Sequence, residues 1–96
     1  MITYQFIGWC RDVIENHDKV WGVISLSPEK AVVFYGRRGK KLQTLIVNND
    51  WWDLQKKIQA KLKGGYILIT ESKLDSVYPD FKKDLEKTAF WASFKI

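Results

Sequence analysis

Two tight turn signals, Ser27-Pro28-Glu29-Lys30 and Arg38-Gly39-Lys40, divide an apolar stretch into runs that can only fold back on one another. Proline at the second turn position pre-sets φ, and Gly39 is free to take positive φ. The runs themselves read as strands. In Lys19–Leu26, Val20, Ile24 and Leu26 share one face and Trp21 and Val23 the other, with Gly22 between them. Ala31–Arg37 is apolar on both faces and then turns abruptly small and basic, and Lys41–Val47 returns as a fourth strand. Upstream, Tyr4–Cys10 is rich in aromatic and β-branched residues, and a polar stretch from Arg11 to Asp18 follows it. Connections this short imply antiparallel neighbours in a meander.

A helix comes next. Asn48-Asn49-Asp50 supplies its N-cap, and Asp53 adds a second acid near the positive end of the helix dipole. At 100° per residue, Trp51, Leu54, Ile58 and Leu62 form the expected core stripe, flanked by Lys57 and Lys61 on one side and by Trp52 and Gln59 on the other. Lys56, Ala60 and Lys63 point away, and Gly64-Gly65 ends the helix. Tyr66–Thr70 is a further β-branched run. A second helix is expected from Pro79 or Asp80 to about Ala89, and the alternating residues Phe90–Ile96 read as a strand that closes the sheet. The expected class is α+β: a single domain over residues 1–96, with an antiparallel sheet of four to six strands and one main helix packed across it.

Composition removes several function classes. Cys10 is the one cysteine and His17 the one histidine, so an internal disulfide, a thiolate cluster and a multi-ligand Cys/His zinc site are excluded. No metal and no cofactor is expected. The chain has no apolar run approaching the ~20 residues of a membrane span, and Met1–Trp9 lacks the basic start of a signal peptide. It is therefore expected to be soluble and intracellular, cytoplasmic or nucleoid/nuclear. Cys10 and His17 are separated by a polar connector with no orienting third group, the acids are scattered, and neither phosphate-cradling glycine motif occurs. No catalytic residue is expected, and the chain reads as a non-enzyme.

The charge is concentrated. Residues 35–63 hold eight bases and two acids, a net of +6, whereas the other sixty-seven residues net −1. A basic segment on an otherwise neutral chain is the footprint of a polyanion binder. Within it lies Tyr35-Gly36-Arg37-Arg38-Gly39-Lys40-Lys41. Arginine grips a phosphate with two donors, lysine adds point charge, an aromatic ring stacks on a sugar or end base, and glycine lets the backbone approach closely.

These residues resemble the WGR domain family, named for a Trp-Gly-Arg signature. Lys19-Val20-Trp21 is similar to its first strand, and Tyr35-Gly36-Arg37-Arg38-Gly39-Lys40-Lys41-Leu42-Gln43 to the signature stretch. Trp52, with Lys56, Lys57 and Lys61 through Gly65-Tyr66, is similar to the family's helix and its exit. The resemblance covers residues 19–67. Tyr35 stands in place of the signature tryptophan, Arg38 in place of an apolar residue, and Leu42 in place of a second glycine. The family is best known in poly(ADP-ribose) polymerases, where it binds DNA near a strand break and relays contacts to neighbouring domains. The resemblance implies that Tyr35 packs on a nucleotide at a DNA end, Gly36 permits the approach, and Arg37 holds backbone or reaches a partner domain.

The expected contact set is therefore Tyr35, Gly36, Arg37, Arg38, Lys40, Lys41 and Gln43, extended by Lys56, Lys57 and Lys61, with nucleic acid, DNA favoured, as the partner. A second expectation is a protein-interaction module, an adaptor or small inhibitor. Trp21 and Trp51 are expected in the core and Trp52 as an exposed anchor, because tryptophan dominates interface hot spots. A third, an RNA or single-strand binder, would use Tyr35 and Trp52 as stacking platforms. Residues beyond Thr70 match no motif.

Overall fold

The computed structural model describes residues 3–86. Its first four strands are β1 (Thr3–Asp12), β2 (His17–Ser25), β3 (Lys30–Arg37) and β4 (Gln43–Asn48). Helix α1 (Trp51–Lys63), strand β5 (Ile67–Leu68), and helices α2 (Glu71–Val77) and α3 (Phe81–Glu86) follow. The sheet is antiparallel with order β4-β3-β2-β1-β5, so the meander and the main helix stand as expected and the class is α+β.

Both faces of the sheet are covered. On one, Phe6, Trp21, Val23, Ala31 and Val33 pack with Leu54 and Ile58 of α1. On the other, Ile7, Val20, Ile24, Val32 and Phe34 pack with Leu74, Tyr78, Phe81 and Leu85, which come from α2, α3 and their junction. This second layer explains why β3 is apolar on both sides. The neighbouring strands crowd β2 closely: a Cβ on Gly22 would lie 2.2 Å from Cζ of Phe34 and 2.6 Å from the Phe6 carbonyl oxygen. Phe34 uses the room that the missing side chain leaves.

Local chemistry accounts for the punctuation. Ser27 Oγ accepts from the N–H groups of Glu29 and Lys30 at 3.3 and 3.0 Å, fixing the β2–β3 turn. Asp50 Oδ1 accepts from the N–H groups of Trp52 and Asp53, the expected N-cap.

Several expectations are corrected. Trp51 is 58 % exposed, and Leu62 is also exposed, so the buried stripe of α1 is Leu54 and Ile58. As the first helical residue, Trp51 follows the edge strand β4 by only three positions, and no described element lies beyond that edge for it to pack against. The polar stretch Arg11–Asp18 is shorter than expected, because β1 runs to Asp12 and β2 starts at His17. The run Tyr66–Thr70 yields only a two-residue strand, because a helix the sequence did not announce begins at Glu71, with Thr70 at its N-cap position. The expected C-terminal helix is present as Phe81–Glu86 within the described residues, whereas its extension to Ala89 and the strand Phe90–Ile96 lie outside them.

Candidate nucleic-acid interface

The basic hairpin projects from the end of the β2–β3 pair. The β2–β3 register places Lys19 opposite Arg37 and Trp21 opposite Tyr35. All four side chains stand on the α1 side of the sheet, where Lys57 and Lys61 descend from the helix. The result is a groove of about 540 Å³, with Trp21, Tyr35 and Tyr66 as its aromatic walls and Lys19, Arg37, Lys57 and Lys61 as its cations. His17 and Leu45 complete its ends.

The cations are held over the rings. The ammonium of Lys61 lies 5.5 Å from the Trp21 ring centroid and 5.6 Å from that of Tyr66, and Lys19 lies 5.9 Å from Tyr66. Burial, with the Cys10 thiol as a lesser influence, pushes the Tyr66 phenol above its ordinary range, so it remains a neutral donor. Arg37 is oriented by the β1–β2 turn: Nη1 donates to the Asn16 carbonyl at 2.9 Å and Nη2 to Asn16 Oδ1 at 3.2 Å. A guanidinium has five N–H donors, so more remain for a ligand. Tyr35 is 40 % exposed and presents a ring to solvent.

Negative charge does not balance this group. Asp53 reaches Lys57 at 3.4 Å. Asp18 contributes to the groove wall, but its carboxylate is engaged elsewhere, accepting from Trp9 Nε1 at 2.8 Å and from Arg38 at 3.0 and 3.2 Å. Like charges directly opposite one another across a ladder are destabilising. The Lys19–Arg37 pair is therefore an arrangement that an anion would relieve.

Arg38 belongs to a different structure. It lies on the α2–α3 side, its Nη1 donating to the Val77 carbonyl and its guanidinium 5.0 Å over the Trp9 ring. Burial raises the Asp18 carboxyl, but the hydrogen bonds from Trp9 and Arg38 and the charges of Arg38 and Arg11 outweigh it and hold the group below the ordinary carboxylate range. Tyr78, buried beneath the same hairpin, donates to Asp84 and accepts from the Gly39 backbone. Arg38, expected as a phosphate contact, instead anchors the hairpin to the second helical layer. Gly36 has φ 150°, and a Cβ there would meet the Lys41 carbonyl at 3.3 Å and Leu42 at 3.4 Å. Leu42 is itself buried, filling the hairpin from beneath.

The other expected contacts divide. Lys40 and Lys41 are exposed in the loop after Arg37, and Gln43 is exposed opposite Tyr35. Lys56 is not in the groove: it lies on the outer face of α1 with Trp51, Trp52, Gln59 and Lys63. Lys19, Trp21 and Tyr66 join the site although the sequence reading did not assign them to it. A signal for two of them was present, since Lys19 and Arg37 are equidistant from Pro28, as are Trp21 and Tyr35.

Among the described residues, no helix is long and apolar enough to cross a membrane, and no group of three His, Cys, Asp or Glu side chains is placed to hold a metal ion. No family model, curated protein or solved structure matches the chain.

Proposed function

We propose that this chain is a non-enzymatic nucleic-acid-binding module, with DNA backbone or a duplex end as its ligand. The observation that carries the reading is the convergence of Lys19, Arg37, Lys57 and Lys61 around the exposed Tyr35 ring in one groove. Phosphates would occupy the cations, with Lys40 and Lys41 at the lip, and a terminal sugar or base would pack on Tyr35. The signature likeness to the WGR family supports the same assignment and rests on residues 19–67.

The test is fluorescence-anisotropy binding to blunt duplex DNA, single-stranded DNA and single-stranded RNA at two salt concentrations. Four to six neutralised phosphates predict a log–log salt slope of about −4 to −5 on duplex. Tyr35→Ala and Arg37→Ala should each weaken binding while the fold persists. A slope shallower than about −2 overturns the electrostatic reading.

A second reading has its own observation. Trp51 and Trp52 form an edge-to-face pair, ring centroids 4.8 Å apart, on the outer surface of α1, and Trp52 is 72 % exposed. Such a pair suits a protein partner. Loss of a partner, with unchanged DNA binding, in Trp52→Ala would favour it.

A further inference from the structure

The sheet ends on β4, and among the described residues nothing pairs with its outer edge. Exposed edges are normally blunted by charge, proline, a bulge or brevity. Strand β4 uses none of these. Its six residues, Gln43–Asn48, are uncharged and pair with β3 from Asn48 to Gln43 without a register shift. Leu45 and Ile46 are 56 % and 54 % exposed, and as neighbours in a strand they stand on opposite faces. The far edge, β5, is only two residues long.

The ladder shows which main-chain groups this edge offers. Asn49 donates its N–H to the Glu29 carbonyl at 2.9 Å. Hydrogen-bonded and non-hydrogen-bonded pairs alternate in an antiparallel ladder. Val47, Leu45 and Gln43 therefore direct their N–H and C=O groups inward to Ala31, Val33 and Tyr35. Thr44, Ile46 and Asn48 direct theirs outward.

We propose that a second copy of this chain pairs with β4, antiparallel, across a two-fold axis at Ile46. Ile46 then faces its own counterpart, and Thr44 faces Asn48 of the second copy, so the outward groups of all three residues find partners. The same register sets Leu45 against Val47 of the second copy. It also sets Leu42 against Asp50 of the second copy, which makes Lys41 the diagonal neighbour of that acid, opposite charges just beyond the uncharged strand. This charge match and the self-complementary edge are what single out a copy of this chain as the occupant. The axis runs perpendicular to the sheet, so both grooves open on one side of the dimer. The inference does not depend on what the grooves bind.

The test is analytical ultracentrifugation of the full chain from about 10 to 200 μM, where mass action would populate a dimer. A concentration-dependent dimer is expected. Ile46→Lys, which places two like charges at the axis and removes two apolar side chains, should raise its dissociation constant on the order of 100-fold with unchanged circular dichroism. Ile46→Cys should join two copies on oxidation, because hydrogen-bonded partners lie about 5.5 Å apart at Cα, within disulfide reach. Thr44→Cys, away from the axis, should not. A chain that stays monomeric over the whole range, a dimer indifferent to Ile46→Lys, or cross-linking through Thr44→Cys rather than Ile46→Cys overturns the proposal.

Discussion

Arg37 and Arg38 are adjacent in the chain and stand on opposite sides of the same sheet. Arg37 enters a groove with three lysines and donates to the β1–β2 turn at Asn16. Arg38 enters a closed network of Asp18, Trp9 and Val77. The two faces differ in the same way throughout. On the α2–α3 side, polar groups are paired with one another and the rings of Phe34, Tyr78 and Phe81 meet edge to face. On the α1 side, cations gather beside rings, and among the described residues of the groove Lys57 alone is matched by an acid of its own, Asp53. One face maintains the hairpin's shape, and the other leaves its chemistry available.

Neighbouring substitutions should separate the faces. Phe34→Ala empties a fully buried site and should cost about 3–5 kcal/mol in chemical denaturation, whereas Tyr35→Ala, next to it, should cost under about 1 kcal/mol and act on binding instead. Comparable losses at the two positions would break the comparison. Arg38→Ala strands a largely buried carboxylate and should lower stability by about 1–2 kcal/mol, after allowance for the partial exposure of the pair. Arg37→Ala should change stability by less than about 0.5 kcal/mol and nucleic-acid affinity by roughly tenfold.

Acid should act through the closed face. Asp18 has a depressed folded-state pKa, so its contribution is fully present above the unfolded value of about 3.9 and is lost as pH falls through the lower folded value. Melting temperature followed from pH 6 downward should fall more steeply in the wild type than in Asp18→Asn, which starts lower and lacks this component. Parallel curves would remove Asp18 from the account. The smallest effect belongs to the open face: Lys19→Gln relieves the cross-strand repulsion with Arg37 and should raise stability by a few tenths of a kcal/mol at low salt. Added salt should erase that gain.

Much of this arrangement is legible in the chain. Pro28 centres the β2–β3 pairing, and Gly39 lies midway between the partners Tyr35 and Gln43. Positions equidistant from Pro28 meet, and this includes Asp18 and Arg38, joined by the salt bridge just past the end of the ladder. Asp50 announces α1 through its short side chain. What stayed hidden has physical causes. Helix α2 buries only Leu74 of its seven residues, too little for a periodic signal, and is held instead by the flanking Tyr78 and Phe81. Trp51 lies on the apolar stripe of its helix, but a helical wheel carries no information about where the sheet beneath stops. Tyr66, beyond the two glycines that end α1, reaches the groove through a turn whose path no local pattern specifies.

The register of β1 shifts once, between Tyr4 and Phe6. Gln5 is the extra residue of this bulge, and its amide donates to Ser25 Oγ and to Asn49 Oδ1. On either side of it, Tyr4 meets Phe81 of one layer and Phe6 meets Trp21 of the other. Gln5 thus works as an address inverter: as the extra residue it lets Tyr4 and Phe6, two positions apart, face opposite layers, so one further residue inserted beside it would turn Tyr4 to the wrong layer, whereas an insertion in the exposed Val13–Asn16 turn would re-address nothing. Insertions should therefore be tolerated at that turn and selected against beside Gln5, two places only about ten residues apart on one hairpin.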